Sequence, residues 1–188
     1  QKRRIENLTL GPTLTWSDKA IADHIKKLLK IRGARVLFGG MPAERASYLL
    51  PSEYGCYRPT AIYVPLNQIL PHFQIVTREV FAPVQVVTQW ENDADLTLAI
   101  EVINTLDHHL TAGVIDRDST LVEYILGRTT NGTTYAGIHG RTTGAPQWHW
   151  FGPAGHPASA GIGTPEAIRA VWSCHREVIR DHGEYISS

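Results

Sequence analysis

The sequence predicts an α/β fold, a mostly parallel sheet with flanking helices, on three observations. Short strand-like runs alternate with helix-period stretches from Val84 onward, the order that lays parallel strands between helices packed on their faces. Capping residues precede the helical stretches, with Ser17 and Asp18 ahead of the first and Asp118 or Ser119 ahead of a later one, where side-chain oxygens can satisfy free N–H groups. Finally, 188 residues with 43% apolar side chains suffice for a real core. No internal repeat or low-complexity linker divides the chain, so residues 1–188 read as one domain or one part of a larger one.

In order, Ile21, Ala22, Ile25, Leu28 and Leu29 recur at helical spacing and Gly33 supplies a stop, which predicts a helix buried on one face. Ala34 to Phe38 reads as a strand closed by Gly39-Gly40, and the polar, proline-broken segment to Pro59 as a loop. Thr60 to Val64 forms the next strand, ended by Pro65. There follow a strand at Val84 to Thr88, a helix at Asp93 to Thr105, a strand at Leu110 to Ile115, a helix at Ser119 to Leu126 and a strand at Thr133 to Ala136. Within the first of these helices Leu96, Ala99, Ile100 and Ile103 make the inward stripe, and Asp93 is the expected cap. Thr164-Pro165-Glu166 opens a last helix, carrying Ile168, Val171 and Trp172, before a terminal strand at Glu177 to Ile179.

Composition excludes several functions. Eighteen basic residues balance eighteen acidic ones, which gives no electrostatic reason to expect nucleic acid or an anionic membrane. The one basic run, Lys2-Arg3-Arg4, reads as solvated surface. No apolar run is long enough to span a bilayer, and no hydrophobic signal segment opens the chain. Starting at Gln1, the sequence reads as a processed product, a fragment or the ordered part of something longer. Cys56 and Cys174 make no disulfide framework, which favours a reducing compartment and discounts the sequons at Asn7 and Asn131.

Eleven glycines and prolines between Gly132 and Gly163 shape a long loop for close approach and fixed turns, and loops of that length are usually functional. Gly161-Ile162-Gly163 before a helix start could hold a phosphate but lacks the preceding strand and third glycine of a dinucleotide fingerprint, so a tight turn is the simpler reading. The nine histidines have no metal-ligand spacing, Cys174 beside His175 reads as packing, and no Gly-x-Ser-x-Gly elbow is present. Val76 to Val84 says more: Glu79 and Phe81, two apart on an extended strand, project to one side. A ribose and a nicotinamide ring would suit them, as would a paired surface Glu79 and a core Phe81.

The chain also resembles the delta-1-pyrroline-5-carboxylate dehydrogenases, the plant-like branch of the aldehyde dehydrogenase family. Leu8-Thr9-Leu10-Gly11-Pro12, Leu37-Phe38-Gly39-Gly40, Pro59 to Pro65, Arg141 to Gly155 and Trp172 to Glu177 carry the likeness along nearly the whole chain. It implies the C-terminal part of an aldehyde dehydrogenase catalytic domain with a terminal oligomerisation strand. It further implies that Glu79 binds the nicotinamide-side ribose of NAD beside Phe81, with Ala82 in place of the usual glycine. By the same likeness Gly144 and Ala145 hold the carboxylate of glutamate semialdehyde through their N–H groups, and Phe151 packs on its aliphatic part. The family's nucleophilic cysteine, general base and most of its NAD fold have no match here, and neither Cys56 nor Cys174 stands in the nucleophile's context.

Two readings follow from the resemblance. In one, the chain is the C-terminal portion of an NAD-dependent dehydrogenase of proline catabolism in the mitochondrial matrix. It binds NAD only with an N-terminal portion present, and it belongs to an oligomer or larger complex. In the other, it is a non-catalytic accessory subunit of a larger mitochondrial assembly, a role favoured by departures at Ala82 and across His149 to His156.

Overall fold

The structure, a computed structural model, describes residues 12–43, 51, 53–107, 109, 111–137 and 178. The chain divides into two compact units, Gln1–Ile103 and Asn104–Ser188. The helix expected from Thr164 lies outside the described residues, as does the terminal strand apart from Val178.

The first unit begins with α1 (Asp18–Leu28), whose N-cap Ser17 accepts from the Ala20 N–H through its hydroxyl at 3.2 Å. Asp18 in the first turn and Lys26 and Lys27 in the last complement the helix dipole. Its inward face is Ile21, His24, Ile25 and Leu28; Leu29, expected inside, is the C-cap and is exposed. The stop at Gly33 has φ 81°, and a Cβ there would lie 2.8 Å from Pro65 Cγ. Glycine is therefore required both by backbone sign and by the close pass of Pro65.

Strands β1 (Arg35–Phe38), β2 (Thr60–Tyr63) and β3 (Val84–Val87) form one sheet in that order. β1 is antiparallel to β2 with a bulge between Val36 and Phe38, and β2 is parallel to β3. A parallel pair needs a crossover, and here it is helical. Two 3-10 turns (Leu66–Gln68 and Leu70–His72) lead into the single α-helical turn α2 (Phe73–Val76), a feature the sequence periodicity does not announce. Ile21, Ile25 and Leu28 of α1 join Ile62, Val64, Leu66, Ile69 and Val76 in one buried cluster. Each such side chain contributes about 1.5–3 kcal/mol. β1 stays at the sheet's edge, with Val36, Leu37 and Phe38 all exposed.

Helix α3 (Asp93–Thr105) has the expected bounds but a different cap. Asn92 Oδ1 accepts from the Asp95 N–H at 3.0 Å, and Asp95 Oδ2 accepts from the Glu91 N–H at 3.1 Å. That reciprocal arrangement places the cap one residue before Asp93. The inward stripe shifts as well: Leu96, Ile100 and Val102 are buried, and Ile103 is 37% exposed. Val102, with Leu98 and Ala99 beside it, packs on the first unit's core, which turns Ile103 outward.

In the second unit, β4 (Thr111–Val114), α4 (Ser119–Leu126) and β5 (Thr133–Ala136) make a strand–helix–strand unit with the two strands parallel. Asp118 caps α4, its Oδ1 accepting from the Thr120 N–H at 2.9 Å and the Leu121 N–H at 3.4 Å. Ahead of β4, buried His109 ties two connections together. Its Nε2 contacts Leu106 O, and its Nδ1 lies 2.9 Å from Thr130 O and 3.0 Å from Thr130 Oγ1.

Candidate functional site

The segment between α2 and β3 is anchored at both ends and exposed in the middle. Val76 is buried, and Thr77 closes α2 by donating its N–H and its hydroxyl to Phe73 O, at 2.9 and 2.7 Å. At the other end Val84 pairs with Thr60, and Pro83 O accepts from the Thr60 N–H at 2.8 Å. Between them the Ala82 N–H donates to Val80 O and the Val84 N–H to Ala82 O, both at 2.7 Å. These are two successive three-residue turns centred on Phe81 and Pro83, and the fixed φ of proline suits the second.

Glu79 and Phe81 therefore lie on a tight turn ahead of β3, not within the strand expected for them; the ladder starts only at Val84. The alternation survives without the strand, since Glu79 and Phe81 are exposed and Val80 and Ala82 half-buried. Ala82 packs against the core. The alternative of a core Phe81 is corrected by its 67% exposure. Glu79 is exposed and has no charge partner among the described residues.

On one side of this turn an open groove runs between Phe38, Pro59, Thr60, Ala82 and Pro83. Its floor depends on Gly39, which has φ 75° and whose Cβ would come 2.2 Å from Pro59 O. The Gly40 N–H donates to Thr60 Oγ1 at 2.9 Å, and the Tyr57 hydroxyl donates to Gly40 O at 3.2 Å. Burial, with Asp18 nearby, holds the Tyr57 phenol above its ordinary pKa, so it remains a donor there. An unpaired carboxylate and an exposed aromatic face beside an apolar groove can accept hydroxyl hydrogen bonds and stack on a planar ring.

Gly144, Ala145 and Phe151 lie outside the described residues, as do Gly161 to Gly163, Cys174 and His175. Cys56 is buried, and its N–H donates to Asp18 Oδ1 at 2.6 Å. Among the described residues no three His, Cys, Asp or Glu side chains gather as a metal would require, and no helix is long and apolar enough to cross a membrane. On the other side of the turn, His24, Trp16 and Arg78 meet at a second opening. Sequence reasoning missed that group, because helical spacing marks His24 only as a position on α1 and gives no hint of Arg78.

Comparison with known proteins adds context. Residues 2–166 match the model of the aldehyde dehydrogenase family. A probable aldehyde dehydrogenase of Linum usitatissimum is 52% identical over 185 residues, which is 97% of this chain and 33% of the flax protein. A mitochondrial delta-1-pyrroline-5-carboxylate dehydrogenase of Arabidopsis thaliana is 50% identical over 186 residues, again 97% of this chain and 33% of that protein. The chain thus spans about a third of the length of these curated relatives. Among solved structures, an NAD+ complex of an aldehyde dehydrogenase from Bacillus cereus superposes with a TM-score of 0.56 at 22% identity. The match covers 78% of this chain and 26% of that one, and it speaks for the fold.

Proposed function

The chain belongs to the aldehyde dehydrogenase family and has the α/β fold of part of its domain, and we propose that it serves an NAD-dependent dehydrogenase that oxidises L-glutamate 5-semialdehyde to glutamate. The observation that carries this reading is the turn at Glu79 and Phe81. It presents a carboxylate with no charge partner among the described residues and an open aromatic face, within a chain half identical to a delta-1-pyrroline-5-carboxylate dehydrogenase. Both residues suit NAD: Glu79 would accept hydrogen bonds from ribose hydroxyls, and Phe81 would pack on the nicotinamide ring. NAD, when bound, supplies the acceptor for the hydride that leaves the aldehyde carbon.

The remaining roles fall to residues carried by the resemblance. Gly144 and Ala145 would bind the substrate carboxylate through backbone N–H groups, and Phe151 would pack on its methylenes. The thiolate nucleophile would come from a dehydrogenase portion corresponding to the relatives' other two thirds, since the Cys56 thiol is buried. Residues 1–188 would then be one part of a catalytic domain, ending in an oligomer-forming segment and working in the mitochondrial matrix.

The test is reconstitution. The chain combined with the complementary dehydrogenase portion should form NADH from glutamate semialdehyde, and Glu79→Gln should raise the KM for NAD about tenfold, the loss expected for a charge-assisted hydrogen bond. A stable complex of the two portions with no turnover would sink the enzymatic role and leave that of an accessory subunit.

A further inference from the structure

The opening opposite the Phe38 groove has a feature that the dehydrogenase reading leaves unused. His24 lies on the buried face of α1 with 6% of its surface exposed, and its ring meets Trp16 edge-on, with centroids 6.0 Å apart and planes at 69°. The Arg78 guanidinium sits over the same indole, Cζ 5.1 Å from its centroid. Trp16 is thus a shared platform that holds two basic groups beside one another.

Neither has a counter-charge among the described residues. Among the described residues no carboxylate pairs with Arg78 and no hydrogen bond reaches the His24 ring. The nearby acids of α1 are engaged elsewhere, Asp23 with Lys26 at 3.8 Å and Asp18 with the Cys56 N–H. Burial first, then Arg78 and Lys27, hold the His24 imidazole below its ordinary pKa. A folded chain gains nothing by gathering such groups unless an anion enters or the positions serve packing alone.

The cavity they border has a volume of about 90 Å³ and opens to solvent. Leu28, Val76, Val80 and Val84 line it, with Thr77 and Gln85 as the polar exceptions. The lining is mixed, so a carboxylate with a short hydrocarbon body can use both its polar and its aliphatic parts, whereas an inorganic ion uses only the former. We infer that the cavity between α1 and the Thr77–Val86 segment binds a short aliphatic carboxylate, its head on Arg78 and His24 and its tail on Leu28, Val80 and Val84. Glu79 and Phe81 are not among the residues lining this cavity, and the inference does not depend on the proposal for NAD.

Butyrate is the probe, titrated into the full chain while the His24 ring resonances are followed by NMR at constant ionic strength, with inorganic phosphate as a second arm. Saturable movement is expected with half-saturation on the order of 1 mM, the range open to so small a ligand. Arg78→Gln should weaken it about tenfold, as loss of one charge-assisted pair does. No saturable shift by about 50 mM, where binding would be worth only a few times the thermal energy, overturns the inference. So does an unchanged response in Arg78→Gln, or phosphate binding more tightly than butyrate. If Arg78→Gln does not fold, Val80→Asp carries the test, because a fixed negative charge on the half-buried wall should abolish butyrate binding while Val80→Leu keeps it.

Discussion

The described parts of the two compact units are held in different ways. In the first, a continuous apolar cluster joins α1, β2 and the helical crossover, with Ile21, Leu28, Ile62 and Val64 fully buried. In the second, only Val122 and His109 are buried among the described residues, and the connections are tied by polar contacts. His109 bridges to Leu106 and Thr130, Asn104 Nδ2 donates to Arg128 O at 2.6 Å, and the Arg128 guanidinium lies 3.7 Å from the Tyr124 ring centroid. Burial scales with area and tolerates small shifts, whereas a buried hydrogen bond fails once its geometry is lost. The first unit should therefore lose stability by volume and the second by single polar groups.

The largest effect should come from Ile62→Ala, which empties the centre of the first core and should cost about 2–5 kcal/mol. Urea denaturation followed by circular dichroism measures it, and a loss below about 1 kcal/mol would refute a packed core at this position. Next, Gly39→Ala should cost at least about 2 kcal/mol, since a positive φ is already worth 1–2 and the new Cβ meets Pro59 O. The same denaturation curve reports it, together with loss of the groove beside Phe38.

In the second unit His109→Ala should cost about 1–3 kcal/mol through the carbonyl oxygen that loses the ring N–H as its donor. Hydrogen exchange should show that loss at Gly132, whose N–H donates to His109 O at 2.8 Å, and unchanged protection there would break the contrast between the units. Asp118→Ala removes the α4 cap and should cost about 1 kcal/mol. Asp118→Asn, which keeps the acceptor, should recover most of it.

The smallest effect is a pH dependence seated in the first unit. His24 has a lowered pKa when folded, so as pH falls the unfolded chain takes up its proton first. Stability is fully present above the unfolded value near 6.5 and is lost as pH falls through it toward the folded value. Thermal midpoints at about pH 7.5 and about pH 5.5 should differ accordingly, and the slope should flatten in His24→Gln. A bound carboxylate should oppose the trend.

Much of the fold was legible from local signals. Caps and glycines mark α1, α4 and the ends of β1, because each satisfies or shapes backbone within a few residues of itself. The Asn92 cap was misplaced by one residue, since Asp95 closes the box from inside the helix and Asp93 looks equally suitable in isolation. The helical crossover at 66–76 was missed because its turns are too short to show a period.

The candidate site divides along the same line. Sequence by itself determined the family, through motifs spread along the chain, and the pairing of Glu79 with Phe81, which needs only alternation of adjacent residues. Only the tertiary structure decided that Phe81 stands in the open, that Glu79 has no charge partner among the described residues, and that the segment turns twice before β3 begins. It alone brings His24 and Arg78 onto one indole. Such facts depend on which distant residues come to pack or pair at a position, and a one-dimensional pattern records a residue's own neighbours but not those that folding brings to it.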